Sequence, residues 1–178
     1  ADGDLEGGSE WAVVDADAAN RRKFKISVEV GVVKAISPAG PIMLQTLMTA
    51  EKGGANTGLF TTRSVLRWKF KVTGNSSWQV GIVPEAEANN DLYLFTTGVV
   101  GLTSVGTSGG SDRMPKVEMH GRWVEVQCDC WQGLVTFKIE GPDHVHTSVQ
   151  SFPFLGPVRI ALSTFQGCEV LLQRGAAD

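Results

Sequence analysis

The chain has 178 residues, a formal net charge of −3, and 42% hydrophobic and 20% charged residues. Those proportions suit one globular domain, long enough to bury roughly 70% of its unfolded surface without disulfides or a metal. An acidic balance argues against nucleic acid as the main partner, because phosphate binding wants a basic surface. No apolar run approaches the ~20 residues that span a bilayer, so no membrane is expected either.

Residues 1–22 are acidic and rich in Gly and Ala, and read as a flexible lead-in with Trp11, Val13 and Val14 available to tuck against the body. The opening Ala1-Asp2-Gly3-Asp4, with no initiator Met and no signal-like apolar segment, suggests a piece of a longer or processed protein. From 23 to 30 the chain alternates, with Phe24, Ile26, Val28 and Val30 on one side of an expected strand. Pro38 and Pro41 bound a turn, 42–49 suits a strand or a short helix, and 51–62 is a loop broken by Gly53-Gly54 and Asn56-Thr57-Gly58.

Residues 65–72 form an expected strand that buries Trp68, Phe70 and Val72 and turns Arg67, Lys69 and Lys71 to solvent. Gly74-Asn75-Ser76-Ser77 turns the chain, and 78–83 returns with Trp78, Val80 and Ile82 inward. An acidic, Asn-rich loop follows at 84–91, then a possible strand at 92–100 and a Gly/Ser-rich loop at 101–115.

The clearest unit is a hairpin. Val124, Val126, Cys128 and Cys130 alternate with Glu125, Gln127 and Asp129, and Val135, Phe137 and Ile139 resume the inward phase after the turn. Asp129 can bond local backbone N–H groups, and Gly133 tolerates positive φ. Cys128 and Cys130 therefore read as core residues. With three cysteines in all, no disulfide framework is indicated, which fits a reducing, intracellular and cytoplasmic setting. Strands at 158–163 and 168–173, joined by Thr164-Phe165-Gln166-Gly167, complete an all-β chain without repeats or long helices, read as an antiparallel β-sandwich or jelly roll.

The ordered units resemble the SPRY family, a bent, concanavalin-like β-sandwich. The resemblance runs through Trp68-Lys-Phe-Lys-Val72, Trp78-Gln-Val-Gly-Ile-Val83, Asp129-x-x-x-Gly133-Leu-Val-Thr-Phe137, Phe152-Pro-Phe-Leu-Gly-Pro157 and Gly167-Cys-Glu-Val-Leu-Leu172, covering about residues 60–173. It departs from the family at 92–98, where members often carry a Trp-rich segment. The resemblance implies a non-catalytic module of a larger intracellular protein that grips a short partner segment with loops at one end of the sandwich. The turn at Gln166, Gly167 and Cys168 is similar to a Trp-Gly-His-Cys-Glu-Val segment of the peptide site in SOCS-box members, with Gln in place of the large apolar anchor.

Chemistry is sparse. His144 and His146 share one face of any strand there, but a third metal ligand is not evident beside them, and the stretch reads as a solvated loop edge. No Gly-x-Ser-x-Gly elbow and no phosphate-cradling Gly-Lys-Ser/Thr is present. Glu125 and Asp129 share a strand face, but at i and i+4 they stand about 13 Å apart, beyond the roughly 5–9 Å of a glycosidase pair.

The expected organisation is a lead-in at 1–22, a SPRY-like domain at 23–174 and a tail at 175–178. The expected function is that of a protein- or peptide-binding module, without catalytic residues, metal or cofactor, and monomeric as an isolated domain. The candidate surface combines loops 50–62, 84–91, 101–115 and 164–167, with Lys52, Asn90, Tyr93, Arg113, Phe165, Gln166 and Gly167 as contacts and Trp131 as a further aromatic. Core packing is the competing assignment for Tyr93 and Phe165. The alternative function is a glycan-binding, lectin-like module, for which Trp131 and Asn89-Asn90-Asp91 supply suitable residue types; a glycoside hydrolase ranks behind it.

Overall fold

A computed structural model describes residues 11–14, 25–29, 32–36, 42–46, 50–51, 65–74, 77–90, 93–104, 114–129, 132–154, 156–164 and 167–173. Two antiparallel sheets face each other. The strands are β1 (Trp11–Val14), β2 (Lys25–Glu29), β3 (Val32–Ile36), β4 (Ile42–Thr46), β5 (Ala50–Glu51), β6 (Val65–Gly74), β7 (Trp78–Pro84), β8 (Gly101–Thr103), β9 (Trp123–Asp129), β10 (Leu134–Glu140), β11 (Val145–Ser151), β12 (Pro157–Thr164) and β13 (Cys168–Gln173). The six-stranded sheet runs β1-β4-β12-β7-β8, with β5 also on β12, and the seven-stranded sheet runs β11-β10-β9-β6-β13-β3-β2. Within the segment expected to be a lead-in, β1 pairs with β4 and extends the first sheet.

The alternation read from sequence holds across β6, β9 and β10. Trp68, Phe70, Val72, Val124, Val126, Cys128, Val135, Phe137 and Ile139 are all buried between the sheets with Trp78, Val80 and Ile82. Phe70 packs between the two tryptophans, its ring centroid 5.4 Å from Trp68 and 5.9 Å from Trp78. The turn is made as its residues dictate: the Gln132 N–H donates to Asp129 Oδ1 at 3.2 Å, and Gly133 takes φ 68°.

Three expectations are corrected. Residues 92–100 hold no described strand; Tyr93–Thr96 form a single helical turn, α1. With Met114, α1 lays Tyr93 and Leu94 against Met43, Val83 and Ala161 on the outer face of the six-stranded sheet. That cover is why β7 is buried on both faces rather than alternating. The loop expected from 101 begins instead with β8, where Gly81 and Gly101 let the backbones meet: a methyl on either would lie 2.2 Å from a carbonyl oxygen of the other strand's segment. Finally, β11 occupies a stretch read as a loop edge. Residues 42–46 resolve as strand rather than helix. The facing of Phe24, Ile26, Val28 and Val30, the turn at 38–41, the loop at 52–62, Cys130 and the tail at 175–178 lie outside the described residues.

Candidate functional site at the crossover end of the sandwich

Local sequence makes 65–83 look like a hairpin, but β6 and β7 belong to different sheets, and so do β12 and β13. Both connections therefore cross the sandwich at the same end, where Trp78 pairs with Thr164 and Gly74 pairs with Cys168. The two crossovers abut. Gly74 and Gly167 take φ 82° and 87°, and a methyl on Gly74 would sit 2.2 Å from the Gly167 carbonyl oxygen. Only glycine allows both the left-handed backbone and this approach.

The roots of these loops are held firmly. Trp78 donates its indole N–H to His120 Nδ1 at 3.1 Å, and the Ser104 N–H and hydroxyl both donate to the Trp78 carbonyl, at 3.1 and 3.0 Å. The Gly121 N–H reaches the Val72 carbonyl at 2.8 Å, and the buried Cys168 thiol lies 3.8 Å from the Ser77 carbonyl. Gly167 itself is exposed on top of this frame.

The residues expected to form one surface do not all gather here. Lys52, Arg113, Trp131, Phe165 and Gln166 lie outside the described residues. Gly167 and Thr164 flank 165–166 at the crossover end. Glu51 and Asp129, which precede Lys52 and Trp131, stand at the opposite end, with Pro84 and the loop that carries Asn90. Asn90 is half-buried and engaged locally: its amide donates to Glu87 Oε2 at 3.3 Å, and its carbonyl accepts the Tyr93 N–H at 3.1 Å. Tyr93 is 4% exposed and belongs to the core, not to an exposed surface. Burial, with Glu87 as a second cause, pushes its phenol above the ordinary value of 10.0.

Elsewhere the charged groups are paired on a solvated face. Arg67, Lys69 and Lys71 line the outside of β6 as expected; Arg67 meets Glu125 at 3.8 Å and Lys69 meets Glu140 at 3.1 Å. Lys69 and Lys71 lie over the Trp123 ring, 5.6 and 5.9 Å from its centroid. Among the described residues no three His, Cys, Asp or Glu side chains gather as a metal would require. What sequence reading missed is β11 and the cleft beside it, because its pattern carries its valines outward.

No protein-family model matches the sequence, and no curated protein does. Solved structures do. The PSpry domain of TRIM65 superposes with a TM-score of 0.56 at 17% identity, over 85% of this chain and 85% of that one. The chain has a SPRY-like fold. Winged bean acidic lectin, solved with methyl-α-D-galactose, matches this SPRY-like sandwich with a TM-score of 0.51 at 12% identity, over 97% of this chain and 96% of the lectin. Lectin UEA-II, solved with galactose, gives 0.50 at 10% identity over 96% and 95%. At these identities the shared property is the concanavalin-like fold.

Proposed function

We propose that this SPRY-like domain is a non-catalytic protein-interaction module that holds a short partner segment on its crossover end. The observation that carries the reading is the close approach of Gly74 and Gly167, which brings the two crossovers together at this end. A preorganised platform lowers the ordering cost of binding. Phe165 supplies an apolar contact, Gln166 a hydrogen-bonding one, and Arg113 a cationic one from the segment between Ser104 and Met114. Asn90, in the loop after Pro84 at the far end, is left out of the proposed surface. The partner is a protein or peptide segment, not nucleic acid or a membrane; among the described residues no helix is long and apolar enough to cross a membrane. Three cysteines without the spacing of a disulfide framework favour an intracellular setting.

Affinity capture from cell lysate tests the reading. Proteins retained by the native domain are expected to be lost with a Phe165→Ala, Gln166→Ala variant and kept with Asn90→Ala. The lectin neighbours favour a second reading, glycan binding on the same fold. Galactose or another glycan bound on an array, with no protein retained from lysate, would select it instead.

A further inference from the structure

The two described sheets end in different ways on one side of the molecule. The free edge of β8 is covered: Thr103 bridges to Lys116, its N–H donating to the Pro115 carbonyl at 3.1 Å and its carbonyl accepting the Val117 N–H at 3.0 Å. Among the described residues, β11 pairs only with β10, and nothing covers its other edge. Edge strands are commonly blunted by Lys, Pro or a bulge. The seven residues of β11 contain no Lys, Arg, Pro or Gly, and their register with β10 is unbroken.

The direction of the unpaired groups follows from the ladder. The Gly141 N–H donates to the His144 carbonyl at 2.9 Å, and the Phe152 N–H donates to the Gly133 carbonyl at 3.0 Å. In an antiparallel pair hydrogen-bonded and non-hydrogen-bonded residues alternate. His146, Ser148 and Gln150 therefore face β10 with their backbone groups, and Val145, Thr147, Val149 and Ser151 direct theirs outward. Val145 and Val149 are also 53% and 56% exposed, two of the few large apolar side chains so exposed among the described residues.

A cleft of about 320 Å³ opens beside the start of this strand, on the inner face that His146 shares with Ile139. Val117 and Ile139 form its apolar floor, and Lys116, Arg122, His144 and His146 its nitrogen-rich rim. Glu118 is the one carboxylate in the lining. Its side chain is 86% exposed and stands 3.7 Å from Arg122, so the two full positive charges are only partly offset.

We infer that β11 accepts an extended segment of a partner protein as an added strand, and that this segment carries an acidic residue between β-branched ones. A residue of the added strand opposite His146 lies on the same face as His146 and so points toward the cationic cleft. Its neighbours lie on the outer face opposite Val145 and Thr147, where β-branched side chains make favourable cross-strand pairs. Backbone bonds to Val145, Thr147 and Val149 supply affinity, and the cleft supplies specificity. This site is separate from the crossover-end platform and does not depend on it.

The test uses the full chain and two short acetylated peptides, Thr-Val-Glu-Val-Thr and its counterpart with Gln for Glu, followed by amide exchange and calorimetric titration. The Glu peptide is expected to protect the amides of Val145 and Thr147, and to bind about tenfold more tightly than the Gln peptide. A Lys116→Gln, Arg122→Gln variant is expected to bind both peptides equally. Thr147→Pro removes an N–H that β10 does not use, so it is expected to abolish binding while the fold persists. Gln166→Ala is expected to change none of this. Unprotected amides at saturating peptide, equal affinities in the native chain, or protection that rises with protein concentration without peptide would each overturn the proposal, the last by assigning the edge to a second copy of the chain.

Discussion

The side-chain amide of Gln150 closes a two-bond ring with the backbone of Gly101: Oε1 accepts the Gly101 N–H at 2.9 Å, and Nε2 donates to the Gly101 carbonyl at 2.8 Å. The ring ties β11 of the seven-stranded sheet to β8 of the six-stranded one, closing one side of the sandwich. Gly101 is buried, so its backbone groups have no ready substitute in water. Gln150→Ala is expected to cost about 1–3 kcal/mol, the penalty for stranding buried backbone groups. Urea denaturation measures it; an unchanged midpoint would show that water replaces the amide freely.

Trp78 joins two kinds of stabilisation, complete burial against Phe70 and the indole bond to His120. Trp78→Ala is expected to cost about 3–5 kcal/mol, and Trp78→Phe less, because it keeps most of the packing. The ordering of the two variants in chemical denaturation checks the assignment, and equal losses would place the energy in the hydrogen bond rather than in the core.

The strands were legible wherever one face meets the core and the other meets water. Val126, Cys128 and Phe137 fall on the buried phase read from alternation, and the roles of Asp129 and Gly133 follow from their chemistry. Alternation held for the inward Trp78, Val80 and Ile82 of β7 but missed the burial of its second face, covered by α1, a contact from outside the strand. It failed at β11 for the opposite reason: the inner face there opens on a polar cleft, so Val145 and Val149 point outward and His146 inward. The assignment of β6 and β7 to different sheets was not readable either. Gly74-Asn75-Ser76-Ser77 suits a hairpin or a crossover equally well, and only the sheet topology distinguishes them.

Gly74 carries the geometry of the proposed platform. Gly74→Ala forces a left-handed alanine and a collision with the Gly167 carbonyl. A loss of at least about 1–3 kcal/mol is expected for the backbone strain, together with altered amide chemical shifts at Gly167 and Cys168. A variant as stable as the native domain with unshifted signals would contradict the packing of the two crossovers.

Tyr93 gives the pH dependence a sign. Burial first, and Glu87 second, raise its phenol above 10.0, so the folded chain holds this proton more tightly than the unfolded chain. The stabilisation is fully present below the unfolded value and is lost as pH rises through the folded one. Tyr93→Phe cannot ionise, so the native domain is expected to lose more stability than the variant above about pH 10. Parallel alkaline curves in urea denaturation would place Tyr93 in water.

Partners are expected to bind at the crossover end. A photo-crosslinking amino acid placed at Gln166, and in a second variant at Asn90, tests it directly in lysate with mass-spectrometric identification of the adducts. Specific protein adducts are expected from position 166 and none from position 90. Adducts confined to position 90, or none from either position while the native domain still retains partners, would contradict it.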